Sequence, residues 1–485
     1  ALVYATAIFG GYVADRVIGY QRSILLGAVV MSIGLFMIMI PSLELFLLGL
    51  AVIVVGNGLF KPNISTLVGK LYEQGDDRRD RGFTIFYMGI NVGAFICNFF
   101  GAVLYNTLGW GYAFAAAGIG MFIGVIAFVI GTKHYADFDV KKPLQEGDMS
   151  MLKITGVILF PSVIAGVIGW LIPQNIFGSD STDAFIFACI PVILFYASLY
   201  FKAQKKEKAS LGVLLAIFAV VVMFWAVFKQ NGSALTTWAD RYTNRSVSGT
   251  TEKVFNAVQL TQNLVYKKDS VALYDELFRL QKKDGKVIKE YNYPVYFRNN
   301  QQNNTLSEGN SISVWSTNLS QSINPGWVIL LTPLIVAFFT FLRGKGREPS
   351  TPTKIAFGLF ISALSVLIMV AAVNAGNNGT EKVSVWWLMG CYGVITVGEL
   401  LLSPMGLSLV SKLSPVRITS LMMGGWFLAT SIGNKLSGIL ASMWDTYEDK
   451  ANFFWLNFTL LMAAAIMLFL MLKNLNKIMK ERGIN

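Results

Sequence analysis

Charge is scarce in this chain: Asp, Glu, Lys and Arg supply 14% of its 485 residues, where a soluble domain carries about a quarter. With 54% hydrophobic and 13% aromatic content, that shortage excludes an ordinary soluble domain. Histidine is almost missing. The single one, His134, lies in a polar connection, and no metal-binding His pair or nucleophile motif stands in the apolar runs, which argues against an enzyme and against any metal or cofactor. Only three cysteines occur, Cys97, Cys189 and Cys391, each inside an apolar stretch without a ligand-type neighbour. They read as small packing residues.

Long apolar runs are what the chain has in abundance. A helix rises 1.5 Å per residue, so about 20 mostly apolar residues cross a bilayer. Thirteen spans follow: one ending near Ala14, then 23–40, 43–71, 83–108, 111–131, 152–172, 184–201, 211–230, 327–342, 355–375, 385–410, 418–444 and 453–473. The net charge of +12 sits mostly in the short connections 16–22, 78–81, 133–153, 202–208, 343–354 and 412–417 and in the tail from Lys473. That distribution reads as membrane topology rather than a nucleic-acid surface. These basic connections alternate with ones poor in Lys and Arg, such as 41–44, 106–110 and 374–383, so the positive-inside rule puts the first set in the cytoplasm. Parity then has the first visible span run inward. Because Ala1 already lies in an apolar run, one helix is expected before it.

One long polar segment, Asp240 to Ser322, falls on the outer side by this parity. It is rich in Asn, Gln, Lys and Tyr, and long outer domains translocate regardless of charge. Lys282-Lys283-Asp284-Gly285-Lys286 predicts a hairpin turn, followed by a β-prone stretch from Val287 to Phe297. The segment reads as a structured decoration; a receptor or partner-binding module is the competing reading.

Two lone charges, Lys61 and Glu399, sit deep in apolar runs far apart in sequence. Each costs roughly 2.5–3.5 kcal/mol at a bilayer centre on insertion scales, so it is paired or faces a polar cavity. Two readings stay open: an internal ion pair, or a site for a charged ligand. Lys61 precedes Pro62, which predicts a locally bent helix lining a cavity, and Pro404 follows Glu399 by five residues.

Three further patterns narrow the class. Gly10-Gly11-Tyr12-Val13-Ala14-Asp15-Arg16-Val17-Ile18-Gly19-Tyr20-Gln21-Arg22 joins two spans, with small residues for close helix approach and a charge cluster at Asp15, Arg16 and Arg22. It resembles the loop motif of the major facilitator superfamily, and Arg343-Gly344-Lys345-Gly346-Arg347 stands at the pseudo-equivalent place in the second half. Together, Phe86-Tyr87-Met88-Gly89-Ile90-Asn91-Val92-Gly93, Gly58-Leu59-Phe60-Lys61-Pro62-Asn63 and the run from Gly398-Glu399 through Ser403-Pro404 to Leu407 resemble the proton-coupled oligopeptide transporter family over nearly the whole chain.

The resemblance implies an all-α membrane protein of the major facilitator fold, two six-helix bundles plus the two-helix insertion of bacterial members. The corresponding domains are 1–133, the N-terminal bundle lacking its first helix; 134–208, the linker with the extra pair; 209–239, the first helix of the second bundle; 240–322, the insert; and 323–485. It also implies a monomeric, multi-pass protein of the bacterial inner membrane that imports di- and tripeptides with protons as the coupling ion. A zwitterionic peptide needs a cation for its carboxylate and an acid for its ammonium. The resemblance assigns Lys61 to the carboxylate, Asn91 and Asn324 to the amino end and backbone, and Glu399 to the amino terminus and proton coupling. Tyr4, Trp225 and Trp426 would form side-chain pockets, with Ser403 and Thr430 as weaker candidates. Lys229 departs from the family, where an acid is usual, so the outer gate or proton route differs here. A related carrier of another small anion or zwitterion is the alternative.

Overall fold

The computed structural model describes residues 6–73, 76, 78–138, 155–173, 176–257, 260–273, 281–283, 286–298, 306–415 and 418–481. Each of the thirteen apolar segments meets a helix. In chain order these are α1 (Ala7–Val13, followed by a π turn over Ala14–Ile18), α2 (Tyr20–Met39), α3 (Leu43–Lys70), α4 (Arg78–Leu108), α5 (Trp110–Ile130), α6 (Phe160–Leu171), α7 (Asp180–Lys202) and α8 (Lys205–Phe228). After the insert come α11 (Ser320–Gly344), α12 (Thr351–Ala375), α13 (Val385–Leu413), α14 (Thr419–Ser442) and α15 (Lys450–Glu481). Among the described residues, ten helices are long and apolar enough to cross a membrane by length and composition.

Large apolar side chains such as Leu43, Ile130, Leu334 and Leu470 stand exposed along these helices. In water they would be a liability; in a bilayer they are the lipid-facing surface, while the backbone polar groups are satisfied within each helix. In the first half α2 packs against both α3 and α5, and in the second α12 packs against both α13 and α15. Contact between the halves runs through α4 against α11 and α13, and through α1 and α3 against α14.

Glycine makes two of these contacts. A Cβ on Gly10 of α1 would fall 1.9 Å from the carbonyl oxygen of Gly58 on α3, an oxygen released because Pro62, four residues on, has no N–H to donate. Pro62 stays inside an unbroken α3. On the other half, a Cβ on Gly398 would lie 2.6 Å from the carbonyl oxygen of Gly358, which brings α13 against α12 and so fixes the neighbourhood of Glu399.

The insert is mixed rather than purely β. It begins inside α9 (Ala234–Arg241) and continues through α10 (Gly249–Ala257) to three antiparallel strand pairs. β1 (Thr261–Val265) pairs with β6 (Ser311–Trp315), β2 (Asp269–Ala272) with β5 (Lys289–Asn292), and β3 (Lys282–Lys283) with β4 (Lys286–Val287). The last pair has the antiparallel register that the expected hairpin needs, while its turn residues, Asp284 and Gly285, lie outside the described residues. The β-prone stretch stops at Asn292, however, and Val295–Phe297 forms a 3-10 turn instead. Pro294 opens that turn, and a residue without N–H cannot extend a ladder. Tyr296, Phe297 and Val314 make the insert its own small core. Its root is joined to the connection before α13: Asn244 N–H donates to Val383 and Val383 N–H to the carbonyl of Tyr242, both at 2.9 Å.

Candidate functional site

Glu399 lies near the middle of α13 and is 2% exposed. The two donors to its carboxylate come from different halves. Tyr87 of α4 donates its hydroxyl to Oε1, and Asn324 of α11 donates Nδ2–H to Oε2 at 2.7 Å while also reaching the Thr396 hydroxyl at 2.9 Å. No ion pair joins Glu399 to Lys61 among the described residues. The Lys61 ammonium instead stands 5.2 Å from the Phe427 ring of α14 in the opposite half, a cation–π distance. Lys229 directly follows α8, its ammonium 5.6 Å from the Trp225 ring centroid.

The other expected residues divide into two groups. Asn91, also buried, donates to the carbonyl of Tyr87 at 3.0 Å and so stiffens the turn that presents Tyr87. Ser403 is buried with no partner for its hydroxyl among the described residues, and the Trp225 indole N–H is in the same position. Thr430, by contrast, donates back to the carbonyl of Trp426 at 3.2 Å. That is the self-bonding habit of hydroxyls in membrane helices. Trp426 is 2% exposed, wedged against Gly406 and edge-on to Phe218 at 6.2 Å, so in this conformation it is core. Tyr4 and the side chain of Arg16 lie outside the described residues.

A second constellation closes the end of the bundle that carries the basic connections. Asp80, at the start of α4 and 4% exposed, receives the Lys412 ammonium at 2.7 Å, the Lys354 ammonium at 3.4 Å, and the hydroxyls of Ser408 and Thr351 at 2.5 and 3.0 Å. All four partners belong to the other half. Glu348 takes a second bond from Lys354 at 2.7 Å and one from Arg343. In the connection before α12, these two cations hold Glu348 below the ordinary carboxylate range against the opposing cost of burial.

Asp15 serves the same closure. Its carboxylate takes the Tyr20 hydroxyl at 2.5 Å and the backbone N–H of Ser420 at 3.1 Å, capping the first turn of α14 from across the interface, where a helix terminus favours negative charge. Arg22 is exposed. Sequence reasoning did not single out Tyr87, Thr396, Asp80, Lys354 or Lys412. Two signals were available: Tyr87 stood in a quoted motif, and Asp80 was a lone acid in a basic run opening an apolar helix.

The profile of the POT family matches residues 21–259 and 300–456. The chain belongs to the POT family. A Bacillus subtilis relative described as an uncharacterized transporter, YclF, is 30% identical over 458 residues, covering 93% of this chain and 79% of the relative. The peptide transporter YePEPT of Yersinia enterocolitica is 30% identical over 453 residues, 90% of this chain and 76% of the relative. Among solved structures, a peptide transporter POT in complex with sulfate superposes with a TM-score of 0.65 at 27% identity, over 98% of this chain and 84% of that one. This POT-family chain is therefore a multi-pass membrane transporter rather than an enzyme.

Proposed function

We propose that this POT-family protein is a symporter of protons and di- or tripeptides, working by alternating access in the bacterial inner membrane as a monomer. The basic end then faces the cytoplasm and the insert faces outward. The observation that carries the reading is the position of Glu399: one buried carboxylate accepts a donor from each half, Tyr87 on one side and Asn324 on the other.

As a carboxylate Glu399 is a pure acceptor and satisfies both donors. As an acid it turns one oxygen into a donor, so one of the two links is weakened. A proton arriving there loosens the tie between α4 and the second half. A peptide ammonium competes for the same oxygens. Lys61, in the first half, supplies the cation for the peptide carboxylate, and Asn91 and Asn324 the amide contacts to its amino end. Lys229 stands where the family's acid is usual, so in this chain a cation, not a carboxylate, occupies the end of α8. The insert, rooted on the second half, moves with that half.

Reconstituted proteoliposomes with an imposed proton gradient test this. Glu399→Gln is expected to lose accumulation of labelled dipeptide against a gradient while keeping counterflow exchange. Accumulation by the variant would overturn the coupling role. Competition of the labelled dipeptide by tripeptides, but not by nitrate or free amino acids, is the expected specificity.

A further inference from the structure

A polar cavity of about 490 Å³ opens at the basic end, beside the Asp80 cluster and apart from Glu399. Four cations line it, Arg343, Lys354, Lys412 and Lys480, against two carboxylates, Asp80 and Glu348. Ser350, Thr351 and Thr353 at the start of α12 add hydroxyls.

That helix start is chemically unusual. The 25-residue α12 has no acidic residue in its first turn and no side-chain cap, because the Ser350 hydroxyl is turned to Asn476 at 2.6 Å and to the Thr353 hydroxyl at 2.8 Å. A lysine, Lys354, occupies the first turn instead, only 3% exposed. The positive end of the α12 dipole and the buried cations thus meet at one cavity.

We propose that this cavity is a binding site for a phosphate group, presented by an anionic lipid headgroup or as a soluble oxyanion. The chemistry favours a tetrahedral dianion. The lining carries a surplus of two positive charges, the start of α12 adds three hydroxyls, and the volume leaves room for the organic body attached to the phosphate. The site is also tied to the state of the transporter. Asp80 is its only lining residue from the first half, and it holds Lys354 and Lys412 while the basic end is closed. When the halves part, Asp80 withdraws, leaving the Lys412 ammonium with the Thr351 hydroxyl at 3.3 Å and Lys354 with Glu348, so the cavity gains positive charge. The phosphate group therefore binds more tightly to the state open at the basic end, and by linkage it favours that state. The proposal rests on no assumption about the cargo.

The test uses the full-chain protein, delipidated in neutral detergent, with inorganic phosphate titrated against sodium chloride at matched ionic strength. Thermal unfolding is the readout. Phosphate is expected to raise Tm, and Arg343→Gln with Lys480→Gln, away from the Asp80 bonds, to abolish most of the rise. Asp80→Asn, which removes the competing internal anion, is expected to bind phosphate at least tenfold more tightly than the unaltered chain. In a second arm, native mass spectrometry from phosphatidylglycerol or phosphatidylcholine nanodiscs reads lipid retention. A phosphate response without selective retention of phosphatidylglycerol assigns the soluble source; selective retention lost in the double variant assigns the lipid source. Absence of both responses, or responses unchanged in the double variant, overturns the site. Should Asp80→Asn not fold, the double variant alone decides.

Discussion

The carboxylate of Asp80 stands 2.7 Å from the ammonium of Lys412, joining α4 of one half to α13 of the other. Because Lys354 shares the same carboxylate at 3.4 Å and also meets Glu348 at 2.7 Å, one acid of the first half holds two buried cations of the second. Desolvating such a cluster offsets much of its attraction, so it contributes specificity of the closed arrangement more than net stability.

Removing that single acid is accordingly costly. Asp80→Asn leaves two buried lysines short of their shared carboxylate, a change of the order that costs about 3–5 kcal/mol when one partner of a buried pair is lost. The expected result is a lower Tm in detergent without added phosphate, together with slower peptide uptake; Asp80→Glu should recover part of both. An unchanged Tm would mean the cluster does not hold the halves.

Closure at the basic end also depends on bare backbone. A Cβ on Gly11 would lie 2.5 Å from the carbonyl oxygen of Ser420 in the opposite half, and backbone cannot yield as a flexible side chain does. Gly11→Ala should shift the population toward the open basic end. In a cysteine-free background, Ser411→Cys, shielded by Gly69 in the closed state, should then label faster with maleimide.

The donors to Glu399 predict graded losses. Tyr87→Phe and Asn324→Ala each remove a hydrogen bond to a charged or chargeable group, worth about 1.5–3 kcal/mol, and should lower proton-driven uptake roughly ten- to a hundredfold. Combined with Glu399→Gln, neither should add its full effect, since all three act on one unit. Full additivity in a double-mutant cycle would place Tyr87 and Asn324 outside the coupling step.

The root of the insert carries a pH dependence of its own. Lys382, in the connection before α13, has its ammonium brought down from 10.5 to about 7 by burial, with the Arg245 charge adding and Asp240 opposing. It still donates to the Arg241 carbonyl at 2.9 Å and lies 4.1 Å from the Tyr296 ring. Between pH 7 and the ordinary lysine range the unfolded chain holds more protons than the folded one, so stability rises with pH across that window and is lowest below about 7. Lys382→Met should flatten the rise in Tm between pH 6 and pH 9. An equally steep rise in the variant would assign it to another group.

How much of this was legible follows from what each level of structure depends on. The thirteen apolar runs marked thirteen helices because a bilayer admits only segments that satisfy their own backbone, a local property of about 20 residues. Lys61 and Glu399 stood out for the same local reason, as charges in apolar surroundings. Their relationship was not local: among the described residues no ion pair joins them, and Glu399 is held by Tyr87 and Asn324. Trp426, a pocket candidate by resemblance, is packed into core because Gly406 lets the ring approach. Composition and periodicity determined a polytopic helical membrane protein, and its motifs determined the family. Only the tertiary structure decided that Asp80 meets Lys354 and Lys412, that Asp15 caps α14, and that one carboxylate ties the halves together. Those contacts join residues hundreds of positions apart, and their energies depend on burial and distance that no local pattern encodes.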